Sequence, residues 1–113
     1  IGLGPYVIEP AVSPKIGATA FSQLSLDTEN WKDSEWSLSR GLFADVVKNE
    51  DELNKKVNEV AERMSAYSPQ AVKSLKNLHW KNTDHWETLL PKNAEITARL
   101  VLEKTTQKIL KTL

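Results

Sequence analysis

Glu9 is the one carboxylate in IGLGPYVIEPAV, the apolar stretch at residues 1–12. A glutamate held among apolar side chains can act as an acid or base. Buried carboxylates are rare without a partner, so a solvent-facing Glu9 beside Pro10 is the stronger reading of the residues. A second group, HWKNTDHWE, gathers His79, Asp84, His85 and Glu87. Its spacing matches neither a helical H-x-x-x-H pair nor a zinc framework. The two histidines also straddle an expected helix break, so a surface turn describes them better and no metal is expected. GLG at residues 2–4 lacks the third glycine and the strand–turn–helix setting of a dinucleotide site. No Ser/His/Asp set can be assembled.

Composition narrows the partners. The chain has 113 residues with 15 basic and 15 acidic side chains, a formal net charge of zero. Nucleic acid and anionic membranes call for a basic field, and neither is expected as a partner. No apolar run reaches the ~20 residues of a membrane span. Cysteine is absent, which removes thiol chemistry and disulfides and fits a cytoplasmic setting. Trp31, Trp36, Trp80 and Trp86 all stand near expected helix ends. Given the charge balance, packing anchors explain them better than base stacking does.

The elements that must position these groups are mainly helical. Pro10 and Gly17 bracket a short segment that Pro14 should distort into a 3₁₀-like turn. Phe21, Leu24 and Ser25 share helical spacing within 19–26. Asp33 is a good N-cap for a helix through Trp36 to Arg40, with Gly41 as its stop. GLFADVV then reads as a short buried strand, at most one near 42–47. From residue 50 the pattern is helical: Leu53, Val57, Val60, Ala61 and Met64 form a stripe opposite charged residues. Ser68 and Pro69 open a further helix with Val72, Leu75 and Leu78 on one face. KNTD ends it, and Thr83 or Asp84 is expected to cap the next. Pro91 should kink that helix or begin another, the kink being favoured. One long helix is expected over 93–113, with Ile96, Leu100, Val101, Ile109 and Leu110 facing inward.

The order of these signals resembles the C-terminal part of the crotonase (enoyl-CoA hydratase/isomerase) superfamily. There a Gly/Pro loop, a helix ending in Ile/Val-Gly, and the patterns A-x-E-A-x-x-x-GL-V-x-x-V and SP-x-A-x-x-x-K follow one another. Here Ser34-Glu35-Trp36, Gly41-Leu42, Val46-Val47, Ser68-Pro69, Ala71 and Lys73 or Lys76 match in sequence. GPYVIEPAVSPKIG is similar to the loop of the methylglutaconyl-CoA hydratase branch, IP-x-VI-S-P-x-V-x-x-x-IG.

The resemblance implies a C-terminal helical lobe of an α/β spiral fold. Residues 1–49 would end the crotonase core, and 50–113 would form the lobe. It implies an enzyme that adds water to, or shifts a double bond in, an acyl-CoA thioester. Methylglutaconyl-CoA from leucine breakdown is the branch-level substrate. Two glutamates and two backbone N–H donors would do the chemistry, without a cofactor beyond the substrate's own coenzyme A. All would lie upstream of Ile1, so no catalytic residue is assigned in this chain, which is expected to be an inactive C-terminal fragment. Gly4, Pro5, Tyr6, Val7, Ile8 and Glu9 would line the acyl pocket. Tyr6 stands where the family usually has Gly, and Glu9 where the branch tends to have a small residue. Family members form trimers or dimers of trimers, so a homo-oligomer is implied. The tail LVLEKTTQKILKTL departs from the family's ending. Lys104, Lys108 and Lys111 would be the candidates for a CoA phosphate, although a solvated helix face describes them better. The alternative is a stand-alone helical module that binds a partner through the 53–64 stripe.

Overall fold

The computed structural model describes residues 2–112 and is helical, with no strand among them. The elements are α1 (Glu9–Ile16), α2 (Ala18–Leu26), α3 (Ser34–Ser39), α4 (Glu50–Ser65), α5 (Pro69–Trp80), α6 (Trp86–Val101) and α7 (Lys104–Leu110). They fall into two units. One joins Ile1–Ala44 to His85–Leu113, and the other is Asp45–Asp84. No helix among the described residues is long and apolar enough to cross a membrane.

In the first unit α1 packs against α2, and α6 against α7. The segment with Pro10 and Pro14 is an eight-residue α-helix rather than a 3₁₀-like turn. Pro10 lies in the first turn, where no intrahelical N–H is needed. Pro14 removes one bond, but the turns on either side hold: Val12 N–H donates to Ile8 O at 3.0 Å and Gly17 N–H to Ser13 O at 2.8 Å. Gly17 then takes φ +82°, which reverses the chain into α2.

α3 follows its sequence signals. Asp33 Oδ1 accepts from Trp36 N–H at 2.7 Å. Gly41, at φ +75°, donates to Leu38 O at 3.0 Å, and Leu42 donates to Ser37 O at 2.9 Å. This left-handed stop satisfies the last carbonyls of the helix. The strand expected at 42–47 does not form. A lone strand has no neighbour to take its backbone groups, and none exists among the described residues. Phe43 N–H instead donates to Ser37 O at 3.2 Å, and Val46 N–H to Asp45 Oδ1 at 2.9 Å.

In the second unit α4 opens on Asn49, whose Oδ1 accepts from Glu52 N–H at 2.9 Å. Glu52 Oε2 accepts from Lys48 N–H at 3.1 Å, a variant of the capping box. Lys56 Nζ pairs with Asp45 Oδ2 at 2.7 Å, tying the lead-in to the second turn. The hydrogen bond from Lys56, then that from Val46 N–H, holds the Asp45 carboxyl below its ordinary pKa. The same bond raises Lys56. Pro69 begins α5, but Ser68 makes no side-chain cap bond. Both stripes are open: Leu53 is 50% exposed and Val57 56% on α4, and Leu75 53% and Leu78 57% on α5.

Three further expectations are corrected. Neither Thr83 nor Asp84 caps α6; His85 holds that place without a side-chain bond. Thr83 Oγ1 donates back to Trp80 O at 2.8 Å, so its hydroxyl finishes the preceding helix. At Pro91 no new helix begins; α6 continues through it, in line with the favoured alternative. The run expected to continue to Leu113 breaks at Leu102 and Glu103, where Glu103 adopts ψ 136°. Gln107 Nε2 reaches across this break to Val101 O at 2.6 Å. The side chain thereby satisfies a carbonyl that the interrupted ladder leaves free. Leu100 and Val101 are half-buried as expected, whereas Ile96, Ile109 and Leu110 count among the exposed hydrophobics. The only buried described residues are Ala20, Ser37 and Thr106.

Candidate functional site

Both hollows of interest lie in the first unit. The smaller, of about 250 Å³, is lined by Gly4, Pro5, Tyr6 and Glu9 from the leading loop and by Phe21, Ser25 and Leu26 from α2. Its position follows from the packing of α1 on α2. The loop is held at two points. Glu9 N–H donates to Pro5 O at 3.0 Å, and Asn93 Nδ2 of α6 donates to Tyr6 O at 2.8 Å. The Tyr6 ring lies over Gly4, where an added Cβ would come within 2.7 Å of Tyr6 Cε2. Glycine is therefore what allows the ring to cover the loop.

Of the pocket residues expected from the sequence, Gly4, Pro5, Tyr6 and Glu9 come together here. Val7 and Ile8 do not line the hollow and are exposed. Glu9 is half-buried, and among the described residues no cation pairs with it. Ser25 Oγ donates to Phe21 O at 2.8 Å, so its hydroxyl serves its own helix. The lining is apolar with one carboxylate, suited to holding a small apolar group and without a paired nucleophile and base. Phe21 and Ser25 had a signal in the sequence, their four-residue spacing on one helix face. Leu26, at the helix end, had none.

The other expected sites are separate. Lys104 and Lys108 lie one turn apart on α7, Lys111 is its C-cap, and all three are exposed and absent from either hollow lining. Among the described residues no three His, Cys, Asp or Glu side chains gather closely enough to hold a metal ion.

The larger hollow, of about 330 Å³, was not foreseen. Leu24, Trp31 and Leu42 give it apolar surface, and Asp27, Asn30 and Lys32 its polar groups. Asp27 is the centre of a triad: Oδ1 accepts from Asn30 Nδ2 and Oδ2 from Lys32 Nζ, each at 2.6 Å. Those bonds, Lys32 first, keep the Asp27 carboxyl below its ordinary pKa. The Lys32 side chain is only 16% exposed, while Trp31 is 94% exposed. Trp31 is thus no packing anchor, contrary to the expectation from its place between helices. The legible signal was the spacing D-x-x-N-x-K around a tryptophan.

Comparison with known protein families, with curated proteins and with solved structures finds no match to this chain.

Proposed function

We propose that the chain is the C-terminal helical part of an enoyl-CoA hydratase/isomerase of the crotonase type. In this reading the leading loop forms one wall of the acyl pocket, and the reactive carboxylates and oxyanion donors belong to preceding polypeptide. The observation that carries the reading is the hollow against Gly4, Pro5, Tyr6 and Glu9, an apolar concavity where the resemblance calls for an acyl wall. The reaction is water addition to, or double-bond migration in, an acyl-CoA thioester, with methylglutaconyl-CoA as the branch-level substrate. The setting proposed is the cytoplasm, and the assembly a homo-oligomer.

The test has two parts. Sequencing the coding DNA upstream of Ile1 should reveal an in-frame glutamate shortly before it, preceded by a Gly-rich strand-and-turn segment. The longer protein should then hydrate crotonyl-CoA, followed by loss of enoyl absorbance, while residues 1–113 alone should not. Unrelated upstream sequence, or hydration by the short chain alone, ends the proposal.

A second reading is favoured by the second unit. Its exposed Leu53, Val57 and Met64 suit a helical module that docks a partner through the 53–64 stripe. The leading loop supports the first reading, because a helical adaptor has no use for an apolar hollow walled by Gly4 and Tyr6.

A further inference from the structure

We propose that the larger hollow binds a neutral pyranose, stacked on Trp31 and hydrogen-bonded by Asp27, Asn30 and Lys32. This site is separate from the acyl wall and does not rest on that reading.

Three observations carry it. First, Trp31 presents nearly its whole indole to solvent, at 94% exposed, although a tryptophan is normally covered by packing. A bare ring beside a concavity offers a flat apolar plate, and the C–H face of a pyranose is the matching surface. Second, the polar groups next to it are already held in place. Asn30 and Lys32 are both fixed to Asp27 at 2.6 Å, so a ligand need not order them. Third, the triad keeps spare capacity of both kinds. Asn30 retains one amide N–H and its carbonyl oxygen, Lys32 retains two N–H donors, and the Asp27 oxygens keep further lone pairs. Sugar hydroxyls donate and accept at once, which suits such a mixed set.

Charge and size select among ligands. The Lys32 ammonium is matched by the Asp27 carboxylate at 2.6 Å. The triad therefore has no uncompensated positive charge for a phosphate, and a neutral ligand is favoured over a nucleotide. The volume, about 330 Å³, lies at the small end of ligand pockets and suits a single sugar ring rather than a chain buried along its length.

The experiment is a titration of uniformly ¹⁵N-labelled protein, read at the tryptophan indole N–H signals. There are four tryptophans, and Trp31→Phe identifies the signal of interest by its loss. The probes are methyl glycosides of glucose, galactose, mannose and N-acetylglucosamine, with adenosine as the competing flat ring. The expected result is a saturable shift of the Trp31 signal with at least one glycoside, the other three staying in place. Asn30→Ala should abolish that shift while leaving the remaining indole signals where they were, which shows that the fold is kept. A shift with adenosine and none with the glycosides overturns the assignment to sugars. No saturable shift with any probe overturns the site.

Discussion

At the residue scale, a methyl group at Gly2 and one at Gly4 meet different fates. At Gly2 the Cβ would lie 2.6 Å from Thr106 Oγ1, and the backbone holds φ +75°. Thr106 is buried at 3% exposure, so it has little room to retreat. Gly2→Ala should therefore cost more than about 1 kcal/mol, from left-handed strain plus the clash, seen as a lowered midpoint in urea unfolding. At Gly4 the atoms met are the outer ring carbons of Tyr6, which swing away on two torsions. Gly4→Ala should leave the midpoint nearly unchanged but move the Tyr6 ring resonances, because the ring can no longer cover the loop. If the Tyr6 resonances of Gly4→Ala stay where they are in the parent, the Tyr6–Gly4 contact is not what shapes the smaller hollow.

At the element scale, helix ends carry the sharpest expectations. Asp33→Ala removes the acceptor for Trp36 N–H and should cost about 1 kcal/mol, measured by chemical denaturation. The Asp45–Lys56 pair gives a pH dependence with a definite sign. Asp45 is lowered in the folded state, so its contribution is present above about pH 4 and fades as pH falls through the lowered folded value. Lys56 is raised, so its contribution is present below about pH 10.4 and fades only as pH climbs through the raised folded value. Helicity at 222 nm should fall on the acid side in the parent and lose part of that dependence in Asp45→Asn. Caps of this kind were the legible part of the fold: Asp33, Gly41 and Pro69 announce boundaries through local chemistry. The strand expected at 42–47 fails because an apolar run says nothing of whether a partner strand exists. The break at 102–103 carries no sequence signal because Leu-Glu-Lys-Thr-Thr has no Gly or Pro, and the bridging Gln107 side-chain bond, over six residues, matches no capping spacing. Asn49 caps α4 through the same local chemistry as Asp33, ahead of a run of charged residues.

At the scale of the whole molecule, the question is what happens to the open apolar faces. The side chains at 53, 57, 64, 75 and 78 are each about half-exposed or more, and covering a large apolar side chain is worth about 1.5–3 kcal/mol. Association is the expected outcome. Sedimentation velocity should show an average mass that rises with concentration, and Leu53→Glu with Val57→Glu should bring it down to that of one chain. A parent that sediments as one chain at every concentration would refute association. The candidate site was half legible at this scale: the resemblance implies a wall at the Gly/Pro loop, but nothing local marks Trp31 as bare.

The Gln107 bridge has one more consequence. Glu103 is a single exposed residue in extended backbone, with φ −62° and ψ 136°, between Leu102 and the start of α7. Exposed connections of this kind are where proteases nick a chain. A glutamyl endopeptidase should therefore nick the chain after Glu103, and after Glu29 in the exposed loop between α2 and α3, ahead of the glutamates inside α4. Gln107→Ala should hasten the cut after Glu103, since the amide that pins the neighbouring turn would be gone.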